Sequence, residues 1–220
     1  MEKVVKLKYE LLFIRIRRLF LDFFFRKYAT YLAGYMEAAM ETCEMWRDKF
    51  TKVMSVTPLF INDPTKNEAE KLGMPVEESR EKLYGLKRSG RRAEFLDIID
   101  RIFSVDLKQV ANCSFLVVYW RSDIKTVGTI GEMQLATLLG IPIYCITPDK
   151  ISELNSWLLG MILINDGDIF RTPNECAKFI MQKYYKNKKS IDVGAEIVDK
   201  QEEKTNGREK ESGDTEKPSV

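Results

Sequence analysis

The stretch Lys125–Ala136 carries the residue types best suited to chemistry. It reads K-T-V-G-T-I-G-E-M-Q-L-A and lies between Phe115–Trp120 and Ile141–Ile146, two apolar runs typical of buried strands. Gly128–Leu139 has the composition of a helix, so the segment predicts one βαβ unit. Such units bind ligands at the carboxyl ends of their strands, where helix N-termini begin. Glu132, expected in the first turn of this helix, would place a carboxylate in that crevice.

An acidic residue in the first turn of a helix has a simpler alternative role, which is to stabilise the helix because its negative charge complements the helix dipole. Composition restricts the available chemistry, since the 220 residues include no histidine. Ser-His-Asp and Cys-His nucleophile systems are therefore excluded, and so are most zinc sites. Acid–base or nucleophilic chemistry must come from carboxylates, tyrosine, lysine or cysteine. We expect no metal and no cofactor.

Overall charge and cysteine usage restrict the partners and the compartment. The net charge of +2 gives no argument for nucleic-acid binding. The cysteines are isolated and form no C-x-x-C spacing, which is typical of buried thiols in a reducing compartment. We therefore expect a cytoplasmic protein. These cysteines are Cys43, Cys113, Cys145 and Cys176.

Composition divides the chain into three parts. Residues 1–26 are basic and strongly apolar, with too many Lys and Arg residues for a membrane span. As a helix they would suit a membrane surface, a partner groove or an extra packing role, and a mis-assigned start codon is a further alternative. Residues 27–187 form the predicted domain. From residue 188 to 220 charged and small residues dominate, which predicts a disordered, solvated tail.

Within residues 27–187 apolar runs alternate with helical periodicity. Strands are predicted at Tyr28–Gly34, Pro58–Ile61, Phe115–Trp120 and Ile141–Ile146, and helices at Glu37–Val53, Ala93–Val110, Gly128–Leu139, Glu153–Gly160 and Pro173–Tyr185. Helical pieces and loops are expected over 67–92. This order predicts a single α/β doubly wound domain, Rossmann-like or flavodoxin-like, with a mostly parallel sheet of four to five strands and helices on both faces.

Several separated segments follow the order of motifs in one family. They are Y-L-A-G-Y-M-E at 31–37, W-R at 46–47, D-L at 106–107, F-L-V-V-Y at 115–119, V-G-T-I-G-E-M-Q-L-A at 127–136 and N-S-W at 155–157. Together they resemble the nucleoside 2-deoxyribosyltransferases and their N-glycosidase relatives. The resemblance covers most of the region from residue 28 to 185.

The resemblance implies cleavage of the bond between a deoxyribose and a nucleobase. The family's nucleophilic glutamate falls on Glu132, which would form a covalent glycosyl intermediate. Tyr31 would hydrogen-bond and aim this carboxylate, although an ordinary strand tyrosine is the alternative. The substrate would be a nucleoside or nucleotide, with an acceptor nucleobase in a transfer reaction. The other residues implied in binding are Gly34, Glu37, Asp63, Asp106, Ser114, Trp120, Gly128, Thr129 and Asn155.

Some of these assignments have structural alternatives. Gly128 can simply allow close passage between strand and helix. Trp46 is more readily explained by core packing than by stacking on a base, and Arg47 by a surface salt bridge than by phosphate binding. Glu153–Gly160 is expected to return Trp157 to the end of the sheet. Asn155 resembles a residue that approaches a neighbouring subunit's site, which implies a homodimer or larger oligomer.

The chain departs from the family pattern before its third strand. Members commonly carry an aspartate there, whereas this sequence places Ser114, or Cys113 with a shift of one residue. Asp63, Asp106 and Asp123 are candidates for the missing carboxylate, each with a turn or capping role as the alternative. Transfer, hydrolysis and a non-catalytic nucleotide-binding module therefore all stay open. Residues 1–26 add the possibility of peripheral membrane contact.

Overall fold

The computed structural model describes residues 13, 16, 28–35, 40–66, 73, 76–124 and 126–185. The predicted tail and Glu37 lie outside the described residues, and so does the predicted N-terminal helix apart from Phe13 and Ile16. In the part of the chain that is described, no helix has the length and apolar character needed to cross a bilayer.

A five-stranded sheet forms the centre of the domain. Its strands are β1 Ala29–Gly34, β2 Phe60–Asn62, β3 Phe115–Tyr119, β4 Ile143–Ile146 and β5 Asp168–Phe170. All neighbouring strands are parallel, in the order β2-β1-β3-β4-β5. The predicted α/β fold with a parallel sheet is therefore confirmed, and the strand order is the flavodoxin-like one.

Helices cover both faces of this sheet. The helices whose full extent lies within the described residues are α1 Met40–Met54, α2 Val76–Ser89, α3 Arg92–Asn112, α4 Val127–Leu138, α5 Ser156–Leu163 and α6 Pro173–Tyr185, with a 3-10 turn at Ile151–Glu153. Of these, α2 packs on α3. Thr172 caps α6, because its hydroxyl accepts the Glu175 backbone N–H at 3.2 Å. The expectation for Trp157 is wrong: it lies in the first turn of α5 and is 72% exposed.

The alternation of side chains along β1 and β3 divides the core into two layers. Tyr31 and Leu116 face the layer formed with α3, α4 and α5, which also buries Met133. Leu32 and Phe115 face the opposite layer, formed with α1 and α6. Because successive strand residues point to opposite faces, each strand contributes to both layers. Both faces of the sheet are buried, which explains why its central strands are continuous apolar runs.

Strand β5 was not predicted from the sequence. It has only three residues, begins with the exposed Asp168 and carries no long apolar run. The preceding Gly167 permits it to form, since a Cβ there would overlap the carbonyl oxygens of Ile162 and Ile143. The glycine is needed for this close approach of the backbones.

Candidate active site

Tyr31 and Glu132 meet beside the switch point of the sheet. The switch point lies between β1 and β3, where the strand order reverses, and α4 follows β3. The phenol of Tyr31 donates a hydrogen bond of 2.9 Å to Oε1 of Glu132. Tyr31 is 1% exposed, whereas Glu132 is half-buried. The hydrogen bond expected from the sequence is therefore present and joins residues 101 positions apart.

Glu132 does not lie in the first turn of its helix, so that expectation is wrong. α4 begins at Val127, with Thr126 as the residue before it, and Glu132 is therefore in the second turn. The effect of a helix dipole falls off within the first turn, so the dipole gives no argument for a role of this carboxylate. Helical side chains tilt towards the N-terminus, which brings the carboxyl group back towards the crevice.

A second carboxylate acts on the same tyrosine. Burial, the negative charges of Glu132 and Asp106, and the hydrogen bond to Glu132 together raise the pKa of Tyr31 well above its ordinary value. Asp106 lies on α3 and is half-buried. The phenol is consequently held as a neutral hydrogen-bond donor to Glu132.

The residues around the start of α4 differ in exposure. Thr129 is buried, whereas Gly128 is exposed, and a Cβ added to Gly128 would have no atom within 4 Å. Close packing of strand and helix therefore does not explain this glycine. Trp120 is half-buried, and its indole N–H donates to the Ser122 hydroxyl at 3.4 Å.

Two predicted binding residues, Ser114 and Asn155, make structural hydrogen bonds of their own. Ser114 lies at the amino end of β3, where its hydroxyl accepts the backbone N–H of Ala29 at 3.2 Å. The crevice is at the carboxyl end, so Ser114 joins two strands at the opposite edge of the sheet. Asn155 caps α5, because its side-chain oxygen accepts the Trp157 backbone N–H at 2.9 Å.

Asp63 and Arg47 form a buried ion pair at the ends of β1 and β2. Nε of Arg47 lies 3.5 Å from Oδ1 of Asp63, and both side chains are nearly inaccessible. The predicted surface role of Arg47 is therefore wrong, because its guanidinium group is buried beside a carboxylate. Trp46 is buried as expected and stacks on Tyr119 with ring centroids 5.4 Å apart.

Gly34 ends β1 beside this ion pair. A Cβ at this position would lie 3.2 Å from the Trp46 ring and 3.3 Å from the carbonyl oxygen of Tyr119. Tight packing therefore explains Gly34 without a substrate.

Asp123, the remaining candidate carboxylate, is exposed and paired with Arg121, which lowers the pKa of the Asp123 carboxyl group through a hydrogen bond.

A cavity of about 570 Å³ opens at the carboxyl ends of β3 and β4. It is lined by Tyr119, Arg121, Ser122, Asp123, Pro148, Asp149 and Glu153. Glu132 is absent from this lining, so the cavity does not coincide with the Tyr31–Glu132 pair. The hydrogen-bonded pair, rather than the cavity, defines the candidate active site.

Solved structures share this architecture. A conserved protein from Enterococcus faecalis V583 aligns with a TM-score of 0.50 and 14% sequence identity, covering 71% of this chain and 99% of its own. A 2-deoxyribosyltransferase from Bacillus psychrosaccharolyticus aligns with a TM-score of 0.50 and 15% identity, covering 71% and 95%. A CMP N-glycosidase from Clostridium botulinum gives a TM-score of 0.44 and 13% identity, covering 70% and 98%.

Comparisons of sequence give no further relative. Neither a protein-family model nor a curated protein matches the chain. The alignment covers nearly the whole length of the 2-deoxyribosyltransferase. The resemblance noted in the sequence is therefore confirmed at the level of the fold. Fold alone does not assign an activity, which must be argued from the site.

Proposed function

We propose that this chain breaks or exchanges the N-glycosidic bond of a (deoxy)nucleoside or nucleotide, with Glu132 as the nucleophile. The observation that carries the proposal is the 2.9 Å hydrogen bond from the buried Tyr31 phenol to the Glu132 carboxylate at the switch point. Similarity of fold to a 2-deoxyribosyltransferase supports the same chemistry. A carboxylate suits this reaction because positive charge develops at C1′ as the base departs.

The proposed reaction has two steps. In the first, the C1′–N bond breaks, its electron pair leaves with the base, and an oxygen of Glu132 forms a bond to C1′. In the second, water or another nucleobase attacks C1′ and the ester bond to Glu132 breaks, which restores the carboxylate. The proton that the attacking group loses passes to the carboxylate that protonated the leaving base. Tyr31 fixes the carboxylate through Oε1, and Oε2 would be the attacking oxygen.

Protonation of the leaving base is proposed for Asp106. Ser114 is at the opposite edge of the sheet, and the carboxylate of Asp63 is paired with Arg47. Asp106 is the remaining sequence candidate whose charge acts on Tyr31. In this role Asp106 passes a proton to the leaving base as the C1′–N bond breaks and takes one back from the attacking water or nucleobase in the second step.

We also propose that the protein acts as a homo-oligomer. Asn155 and Trp157 are both exposed at the start of α5, and the motif N-S-W resembles a segment that reaches a neighbouring subunit in the family. Exposed aromatic residues are enriched at interfaces between subunits. Light scattering coupled to size exclusion should give a mass above one chain, and Trp157→Ala should lower it. A monomer in the wild type would contradict this proposal.

The activity is tested by incubation with nucleosides and 5′-monophosphates, with and without an acceptor base, followed by chromatography. We expect release of the free base, or formation of a new nucleoside when the acceptor is present. Glu132→Gln should abolish both products, whereas Glu81→Gln, an exposed acid on α2, should leave them unchanged. Calorimetric titration with the same compounds completes the test: binding without turnover would instead identify a nucleotide-binding module.

A further inference from the structure

The edge of β1 next to β2 is only partly paired. β2 has three residues and pairs with Ala29–Tyr31, whereas β1 continues to Gly34. Phe60 donates its N–H to the Tyr28 carbonyl, so the alternate carbonyls of Leu32 and Gly34 also point to this edge. Since β2 ends at Asn62, neither carbonyl has a strand partner there. Buried carbonyls need donors from another source.

The guanidinium group of Arg47 occupies this position. Its Nη2 atom donates to the Gly34 carbonyl at 3.3 Å and, at 3.5 Å, to that of Leu32. Its Nη1 atom donates to the carbonyl and sulfur of Cys43 at 2.7 and 2.9 Å. Arg47 comes from α1, so this one side chain joins the helix to the free end of the strand.

The charge of Arg47 is balanced locally. The arginine is fully buried, and a buried cation is costly unless it is paired. Asp63, the first residue after β2, supplies the counter-charge at 3.5 Å. Asp63 is itself held by the backbone N–H and hydroxyl of Thr65 at 3.0 and 2.7 Å. The Arg47–Asp63 ion pair therefore takes the place of a longer β2: Arg47 supplies the hydrogen bonds that further β2 residues would have made, and Asp63 balances its charge.

The same cation acts on the candidate active site. Leu32, whose carbonyl Arg47 contacts, directly follows Tyr31 in β1. The positive charge of Arg47 lowers the pKa of Tyr31 and so partly opposes the effects of burial, Glu132 and Asp106. Arg47 is thus coupled to Tyr31 both through the backbone of β1 and through charge.

We infer that Arg47 is a positioning residue, which holds the carboxyl half of β1 so that Tyr31 is aimed at Glu132. Its effect on rate rests on the proposed function, whereas its effect on the Tyr31–Glu132 hydrogen bond does not. Lysine cannot replace it, because a single ammonium group lacks the planar set of donors that reaches Leu32, Gly34 and Cys43 together.

Nuclear magnetic resonance on protein with ¹³Cζ-labelled tyrosine tests the inference without any substrate. The signal of Tyr31 among the nine tyrosines is assigned from Tyr31→Phe, and Glu132→Gln defines its shift when the hydrogen bond is weakened. Arg47→Lys should move the Tyr31 signal in the same direction as Glu132→Gln. Arg101→Lys, at an exposed ion pair on α3, should leave it unchanged. An unmoved Tyr31 signal in folded Arg47→Lys would overturn the inference.

A second variant covers the case in which Arg47→Lys does not fold. Arg47→Met combined with Asp63→Leu leaves no unpaired buried charge, and the same shift of the Tyr31 signal is expected in it. In a base-release assay each variant should lower kcat on the order of tenfold to a hundredfold, with KM within about twofold, since misplacement of reacting groups acts on the chemical step. If the wild type releases no base, the proposed function fails, but the Tyr31 signal still decides the role of Arg47.

Discussion

Two carboxylates near the carboxyl end of the sheet, Asp63 and Glu132, are held in opposite ways. Asp63 is 5% exposed, faces the Arg47 cation and accepts two hydrogen bonds from Thr65. Glu132 is half-buried and accepts a hydrogen bond from the neutral phenol of Tyr31. A carboxylate beside a buried cation has its charge compensated within the fold. In the proposed function, a carboxylate aimed by a neutral donor would face the positive centre that develops in a substrate.

The largest expected effect is on Glu132. Glu132→Gln keeps the size of the side chain and removes its charge, so kcat for base release should fall by at least about 10³-fold. The thermal midpoint should change by no more than about 2 °C, since the residue is only half-buried. Activity assays and calorimetric melting check the two expectations. Retention of activity in Glu132→Gln would show that Glu132 is not the nucleophile. The proposed difference in role between Glu132 and Asp63 would then be wrong.

Asp63 should show the reverse pattern. Asp63→Asn leaves the Arg47 cation buried without a counter-charge, which should lower the free energy of unfolding by about 3–5 kcal/mol. Urea unfolding measures this change, and Asp48→Asn is the control. Asp48 belongs to an exposed pair with Lys66, so its loss should cost less than about 1 kcal/mol. Equal effects of the two substitutions would show that burial of the Asp63 pair is unimportant.

Tyr31 is expected to affect rate more than binding. Tyr31→Phe keeps the ring in the core and removes the hydroxyl that orients Glu132. We expect kcat to fall roughly tenfold to a hundredfold with little change in KM, because the carboxylate loses its alignment. Steady-state kinetics test this, with Tyr84→Phe on the exposed side of α2 as the matched control. A selective rise in KM would instead indicate that the phenol contacts substrate.

The dependence of stability on alkaline pH should show that the Tyr31 phenol is neutral in the folded protein. The folded-state pKa of Tyr31 is raised above the unfolded value of about 10, so its contribution to stability is complete below that pH. The contribution is lost as the pH rises towards the folded-state pKa. Tyr31→Phe should therefore lose stability less steeply than the wild type between about pH 10 and 12. Urea titrations at pH 9 and 11 compare the two, and equal losses would contradict the prediction.

The smallest effect is expected at Gly128. A methyl group there enters open space, and replacing glycine in a helix stabilises it by up to about 1 kcal/mol. If the sugar binds at the start of α4, Gly128→Ala should raise KM severalfold while the thermal midpoint rises or stays constant. Gly85→Ala on α2 is a matched control, since its Cβ also meets nothing within 4 Å. An unchanged KM in Gly128→Ala would place the substrate elsewhere.

Local pattern was sufficient to predict the fold but not the ion pair. The cores of β1, β3 and β4 are apolar runs buried on both faces, and such runs are visible in the sequence. By contrast, Arg47 and Asp63 are ordinary charged residues whose partnership depends on where β2 stops. The only signal that could have indicated it is the shortness of the apolar run before Asn62-Asp63.

The position of Ser114 shows a different limit. Ser114 stands where the family motif has an aspartate before β3, yet a residue that precedes a strand lies at the amino end, away from the crevice of a parallel sheet. Topology could have corrected this assignment. The hydrogen bond of Tyr31 with Glu132 was expected from the resemblance and is present, whereas their catalytic roles stay predictions until activity is measured.

The sheet ends on both sides in strands of three residues, β2 and β5. A long, flat edge strand offers unpaired N–H and C=O groups that can template aggregation with other chains. Here each edge is too short to present a continuous row of such groups, and Arg47 already uses the carbonyls left open beside β2. Because β2 is short, it offers little surface for edge-to-edge pairing with another chain. The same shortness leaves two carbonyls of β1 that the buried arginine contacts.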